Sequence, residues 1–175
     1  KEHKVTLLSS PRDTKSDIPG YGTQKFNAAY AFNGPAGAIE AAEDLLDIEI
    51  THYAEVSFND LANLVDAVGG VTVENESKID NKKCDWDGNH YVIEEGTQHL
   101  SGGAALTFAR NRDYPDGDFT RQKHQRMVIE AIANEVLNAP LTSIPGIIEA
   151  AIDCVVTDLD VMDIIGLAQN FANAD

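Results

Sequence analysis

The chain has 175 residues, 43% hydrophobic and 24% charged, an ordinary globular mixture whose length fits one domain over residues 1–175. Its formal net charge of −16 works against nucleic-acid or anionic-membrane binding by the surface as a whole, because phosphate recognition draws on many Lys and Arg contacts. No apolar run approaches the roughly 20 residues of a membrane helix, and the start carries no signal-peptide pattern. Lys1 stands close to a core-like strand, which leaves an anchor upstream open.

In chain order, Val5–Leu8 reads as a buried strand ending at the turn Ser9-Ser10-Pro11-Arg12-Asp13-Thr14. Ile18-Pro19-Gly20-Tyr21-Gly22 is loop by its Pro and Gly content. Asn33-Gly34-Pro35 opens a helix with Ile39, Ala42, Leu45 and Leu46 on one face. Thr51–Phe58 reads as a strand. A helix starting at Asn59 or Asp60 carries Leu61, Leu64, Val65 and Val68, and Gly69-Gly70 ends it. Val71–Val73 is a strand. Residues 74–99 are polar, with a turn at Asp85-Trp86-Asp87-Gly88 and a short strand at Tyr91–Ile93. Ser101–Phe108 is helical, 110–119 is an irregular charged loop, and Thr120–Asn138 is a long helix. After Pro140 and Pro145 come a helix over Ile147–Ile152, a strand over Cys154–Thr157, and a last helix bearing Val161, Ile164, Ile165 and Leu167, capped by Asp158 or Asp160. Strands alternating with helices predict an α/β fold.

The charge distribution says more than its sum. Of five arginines, four (Arg110, Arg112, Arg121 and Arg126) fall in one segment, and the fifth is Arg12. Guanidinium forks suit phosphate oxygens and stay charged at any working pH. Arg121 and Gln125 occupy the first turns of a helix face that Val128 and Ile132 continue as apolar, so polar groups sit beside a helix N-terminus. On spacing alone, an anion pocket stands level with a surface ion-pair network to Asp113, Asp116 and Asp118. Arg126 and Lys123 read as solvated. Arg12 and Asp13 follow a strand end, where open α/β sheets place ligands; the pattern by itself favours a plain Pro-initiated turn with a local ion pair. Lys25 and Asn27 by themselves read as a surface lysine and a turn residue. The five histidines form no metal pair at helical spacing and read as structural or exposed. Cys84 and Cys154 lack C-x-x-C spacing, which leaves a disulfide or two buried thiols and argues against zinc. No P-loop or G-x-S-x-G elbow appears.

Taken in order, several segments resemble the LytR–CpsA–Psr family: Ser10-Pro11-Arg12-Asp13-Thr14, Ile18-Pro19-Gly20, Lys25-Phe26-Asn27-Ala28-Ala29-Tyr30, Val65-Asp66-Ala67-Val68-Gly69-Gly70-Val71, Gly96-Thr97-Gln98-His99-Leu100-Ser101-Gly102, Ala104 to Arg112, and Gly117-Asp118-Phe119-Thr120-Arg121. The likeness covers nearly all of residues 5–138, and the ordered set is far more specific than any one member. It tips the arginines toward the anion site.

The resemblance implies a three-layer α/β/α domain with a central mixed sheet flanked by helices, here lacking the family's N-terminal strand. It also implies an extracytoplasmic position behind a membrane anchor absent from this chain. Such domains transfer a polyprenyl-pyrophosphate-linked glycopolymer (teichoic acid, capsule or a related glycan) to peptidoglycan. The lipid lies in an apolar tunnel, expected here between the faces near 39–46, 61–68 and 128–136. Arg12, Arg110, Arg112, Asp118 and Arg121 match catalytic positions, and Lys25, Asn27 and Gln125 join the arginines in binding substrate. Magnesium is implied, with Asp13 and Asp118 as its ligands in this chain, because the family's further metal aspartates precede Lys1. His124 stands where the family often has Arg. The alternative is a non-catalytic module that binds polyprenyl phosphate or another polyanion. Nucleic acid is not an expected partner.

Overall fold

The chain's first regular element is a hairpin dictated by glycine. In the computed structural model, which describes residues 6–80, 87–140, 142–160, 162–164 and 166–167, β1 (Lys15–Ile18) pairs antiparallel with β2 (Gly22–Lys25), Ile18 facing Gly22. Gly20 and Gly22 take φ of +80° and +67°, the left-handed region that a side chain disfavours. Ser16 and Ile18 point inward, whereas β2 is exposed throughout. Helix α1 (Ala28–Leu46) follows and breaks at Asn33 and Gly34, where Gly34 adopts φ 60° and ψ −149°. Pro35 then restarts it, since a first-turn residue needs no N–H donor. The helix expected to open at Asn33-Gly34-Pro35 is therefore the second part of α1, and a first turn precedes it. Ile18, Ala29 and Ala41, with Phe26 against them, form a small core of their own.

The strand expected over Val5–Leu8 is not formed by its described part. Residues 6–8 are irregular, and Leu7 and Leu8 are 41% and 69% exposed. A strand is held by a neighbour's hydrogen bonds, and β1 and β2 satisfy each other. Apolar content alone did not supply a partner.

The larger core lies downstream. β3 (Ala54–Glu55) is the only strand within the expected Thr51–Phe58 run. Helix α2 (Phe58–Ala67) starts earlier than expected because Ser57 caps it, its hydroxyl accepting from the Asp60 amide at 3.2 Å. After Gly69 and Gly70, β4 (Val71–Asn75) alternates buried and exposed positions and pairs antiparallel with β7 (Gly96–Leu100). Between them, β5 (Ile79–Asp80) pairs with β6 (Val92–Ile93), and the turn residues Asp85 and Trp86 lie outside the described residues. Helices α3 (Gly102–Arg110), α4 (Asp118–Asn138) and α5 (Ile144–Ala151) follow, then one 3-10 turn, Ile152–Cys154, and β8 (Val156–Thr157), which pairs with β3. Residues 162–164 and 166–167 are helical; Val161 and Ile165 lie outside the described residues.

The fold is α/β, as the alternation predicts, and among the described residues its strands join in four two-stranded antiparallel ladders. The main core joins Val65 of α2, Val71 and Val73 of β4, Leu100 of β7, Phe108 of α3 and Val128 of α4. Each such side chain contributes roughly 1.5–3 kcal/mol when fully buried. Helices α2 and α3 run antiparallel at very close range. A Cβ at Gly102 would lie 2.1 Å from the Ala62 carbonyl oxygen, and the Gly102 amide donates to Asp66 Oδ1 at 2.7 Å. Cys154 is buried; Cys84, its partner in the disulfide alternative, lies outside the described residues. No helix among the described residues is long and apolar enough to cross a membrane.

Candidate functional site

Helix α4 begins at Gly117 with no side-chain cap, at the positive end of a 21-residue helix, and the Phe119 amide of its first turn donates to the Asp116 carbonyl at 3.2 Å. Arg121 lies in this turn and is only 9% exposed. One Nη forms an ion pair with Asp118 Oδ1 at 2.7 Å, while its buried Nε has no hydrogen-bond partner among the described residues. A desolvated guanidinium N–H without an acceptor is costly, and an anion would satisfy it. Gln125 is half-buried one turn further along.

The packing of α3 on α4 brings Arg110 to the same end. Phe108 stacks on His124 with ring centroids 3.9 Å apart, and His124 Nδ1 donates to the Phe108 carbonyl at 3.1 Å. That antiparallel contact sets the C-terminal end of α3 beside the first turn of α4. Arg110 lies over the Phe58 ring, 4.1 Å from its centroid, at the start of α2. Arg112 is exposed in the loop between the two helices. In the same loop the Tyr114 hydroxyl is buried without a hydrogen-bond partner among the described residues. No sequence pattern distinguished Tyr114 or Phe58, because each acquires its role from a helix elsewhere in the chain.

Arg12, Asp13, Lys25 and Asn27 form a second group. Asp13 forms ion pairs with Arg12 Nε at 3.5 Å and Lys25 Nζ at 3.1 Å, and the Asn27 amide donates to the Arg12 carbonyl at 3.0 Å. These residues are drawn together by the base of the β1–β2 hairpin. Tyr30, one helical turn past Asn27, donates to Glu55 Oε1 at 2.5 Å, and Glu55 stands three residues before Phe58, on which Arg110 rests.

The ion-pair network expected from spacing appears as Arg121–Asp118, whereas Asp116 accepts from the Thr120 hydroxyl at 2.6 Å. Lys123 is not simply solvated: it pairs with Glu76 at 2.6 Å, and Arg126 is half-buried. His124 is a core residue, 2% exposed, whose burial pushes its pKa below the ordinary value against the pull of the Phe108 carbonyl. It holds α3 to α4 and is not a substitute phosphate ligand.

As they stand, Asp13 and Asp118 do not fit a magnesium site. Asp13 is engaged by two cations, and Asp118 by Arg121 and, at 3.5 Å, by the Gln122 amide. Among the described residues no three His, Cys, Asp or Glu side chains are grouped to hold a metal.

Of the three apolar faces expected to wall a tunnel, those of α2 and α4 bury Val65 and Val128 fully and leave Leu61, Val68 and Ile132 partly buried. On α1, Leu45 and Leu46 are 36% and 38% exposed. A cavity of about 380 Å³ opens at the C-terminal ends of α2 and α4, between Asp66, Glu135, Asn138 and Ser143. It lies about 21–26 Å along α4 from Arg121, at 1.5 Å per residue, and its acidic wall does not suit an anion.

Fold and site together define an α/β protein with a buried guanidinium at an uncapped helix N-terminus. Comparison with known proteins agrees: the model of the LytR_cpsA_psr family matches residues 1–175, and the chain belongs to that family. It is 38% identical to the polyisoprenyl-teichoic acid–peptidoglycan teichoic acid transferase TagU of Halalkalibacterium halodurans over 178 residues, covering 99% of this chain and 56% of that protein. An Enterococcus faecalis structure described as a transcriptional regulator superposes with a TM-score of 0.85 at 34% identity, over 97% of this chain and 62% of that one. The structure of TagT bound to LI-WTA gives 0.81 at 29% identity, over 98% and 64%. The chain thus spans little more than half the length of the TagU relative.

Proposed function

We propose that this chain binds a polyprenyl pyrophosphate carrying a glycopolymer (teichoic acid, capsule or a related glycan) and transfers that polymer to peptidoglycan, on the outer face of the bacterial plasma membrane. The observation that carries the reading is Arg121: a buried guanidinium beside an uncapped helix start, with an N–H awaiting an acceptor. Arg110 ends the helix packed on α4, Arg112 lies in the loop between the two, and on this reading Arg12, Lys25 and Asn27 face the same pyrophosphate, as the family resemblance implies. The names of the TagU and TagT relatives support the substrate class.

The chemistry required is phosphoryl transfer. An acceptor hydroxyl attacks the phosphorus that bears the glycan, its proton is lost, and the bond from that phosphorus to the bridging oxygen breaks to release polyprenyl phosphate. Negative charge grows on the bridging and terminal oxygens, and fixed guanidinium groups in a partly desolvated site stabilise it without reorganising. Family resemblance adds magnesium as a Lewis acid. No step is assigned to it through Asp13 or Asp118, which are occupied with cations. That occupation favours a second reading, in which the chain binds the lipid without transferring its cargo.

One experiment separates the readings. Protein is mixed with a labelled polyprenyl-pyrophosphate glycan and teichoic-acid-free peptidoglycan, with and without magnesium, for wild type, Arg110→Lys and Arg112→Lys. Label bound covalently to peptidoglycan in wild type, and lost in both variants, is the expected result. Donor binding with no transfer under any condition gives the binding module, and no donor binding by wild type sinks both.

A further inference from the structure

We propose that the stacked rings of Tyr21 and Phe32 form a platform for a pyranose ring, and that its occupant is the glycan strand of the peptidoglycan acceptor. The choice of occupant rests on the transferase reading; the platform itself rests on geometry. The two rings are parallel within 7° with centroids 4.1 Å apart, yet Tyr21 and Phe32 remain 51% and 41% exposed. Stacking covers one face of each ring, so the exposure belongs to their outer faces and edges.

The backbone is shaped to present this pair. Tyr21 stands between Gly20 and Gly22, both in the left-handed region, and the helix break at Asn33 and Gly34 turns the chain away directly after Phe32. Amides stand near the pair in the chain: the Gln24 side chain donates to the Tyr21 backbone carbonyl at 3.5 Å, and Asn33, next to Phe32 in sequence, is exposed. A pyranose has this same division, an apolar face of C–H groups and a hydroxyl rim, and flat amphipathic aromatic surface with a few amides suits it. The formal charge of −16 weighs more against a densely phosphorylated polymer on this platform than against a glycan strand, most of whose ring substituents are uncharged. The position also fits an acceptor. Tyr21 lies four residues from Lys25 along β2, about 13 Å at 3.3 Å per residue, within reach of a short oligosaccharide whose other end meets the cations.

The same stack also fastens the hairpin tip to α1, so the test must separate clamping from binding. Calorimetry would compare wild type, Tyr21→Phe, Tyr21→Leu and Phe32→Leu with soluble, peptide-free glycan fragments of peptidoglycan, with soluble teichoic acid, and with the lipid-pyrophosphate donor. Both Leu variants should lose about tenfold in affinity for the glycan fragments, the size of one aromatic stacking interaction. Tyr21→Phe should retain it, and donor affinity should stay within about twofold throughout. Unchanged glycan affinity in the Leu variants, whatever happens to thermal stability, would reduce the stack to a clamp and overturn the proposal. A loss confined to teichoic acid would overturn the occupant. Absence of donor binding in wild type would count against the transferase reading alone, because glycan affinity is read separately.

Discussion

At the scale of single residues, Arg121 and Arg126 are one turn and a face apart on α4, and the structure gives them different roles. Arg121 is buried against Asp118 with an N–H to spare, whereas Arg126 is half-buried and stands further from the uncapped helix start. Lysine keeps the charge but has no planar fork to serve a carboxylate and a phosphate together. Arg121→Lys should therefore weaken lipid-pyrophosphate binding about tenfold or more, the scale of one charge-assisted hydrogen bond. Arg126→Lys should change it less than about twofold, a small fraction of one such bond. Equal losses in a fluorescence titration would remove the distinction. Because the aspartates near the arginines are already paired, chelating magnesium should leave this affinity unchanged, which the same titration with added EDTA checks.

His124 makes a pH prediction whose sign follows from burial. Its folded pKa lies below the ordinary value, mainly through desolvation, so the unfolded chain takes up its proton first as pH falls. Between the unfolded pKa, about 6.5, and the lower folded one, the unfolded state binds more protons and stability drops with acidification. The contribution is complete above about pH 6.5 and is lost as pH falls through the folded value. The melting temperature should be lower at pH 5.5 than at pH 7.5, and His124→Phe, which keeps a ring against Phe108, should flatten that difference. A variant with an undiminished slope would assign the effect to other groups.

At the scale of elements, the closest packing is α2 against α3. Gly102→Ala would push a methyl group into the Ala62 backbone and against Asp66, the residue that receives the Gly102 amide. Neither backbone can yield without separating the helices, so a loss of at least about 2–3 kcal/mol is expected, visible in a denaturant melt. Gly146→Ala in α5 meets no atom within 4 Å and should be neutral or stabilise by up to about 1 kcal/mol. The elements differ in how far they were legible. β4 carried clean alternation and α4 was bounded by Gly117 and Pro140, so local pattern and packing agreed. β7 is a polar strand whose partner, β4, lies more than twenty residues away, and β2 is a polar strand paired across a Pro-Gly turn that reads as loop. Leu7 and Leu8 show the converse, apolar residues without a neighbouring strand among the described residues.

At the scale of the molecule, the charge of −16 bears on the Enterococcus faecalis relative described as a transcriptional regulator. Duplex DNA binding needs several Lys or Arg contacts on one surface, and Lys25, Lys78, Lys123 and Arg121 are each already paired with carboxylates. No shift of a DNA fragment is expected at about 150 mM salt, conditions under which specific binders remain bound, while the lipid pyrophosphate still binds. A retarded band that depends on Arg110 or Arg112 would reverse that assignment.

The sequence by itself determined the class of fold, the main helices and the family, because these depend on periodicity, punctuation and an ordered set of short motifs. It also marked the arginines, since guanidinium groups concentrated in an acidic chain stand out in composition alone. It left open whether they bind an anion or pair with Asp113, Asp116 and Asp118, as spacing is the same in both cases. Tertiary structure decided which guanidinium is buried, that His124 belongs to the core, and that Arg110 rests on Phe58. Only there did Tyr21 and Phe32 meet as a pair. The reason is physical: desolvation and hydrogen-bond satisfaction depend on what other segments place around a side chain, and those segments are tens of residues away.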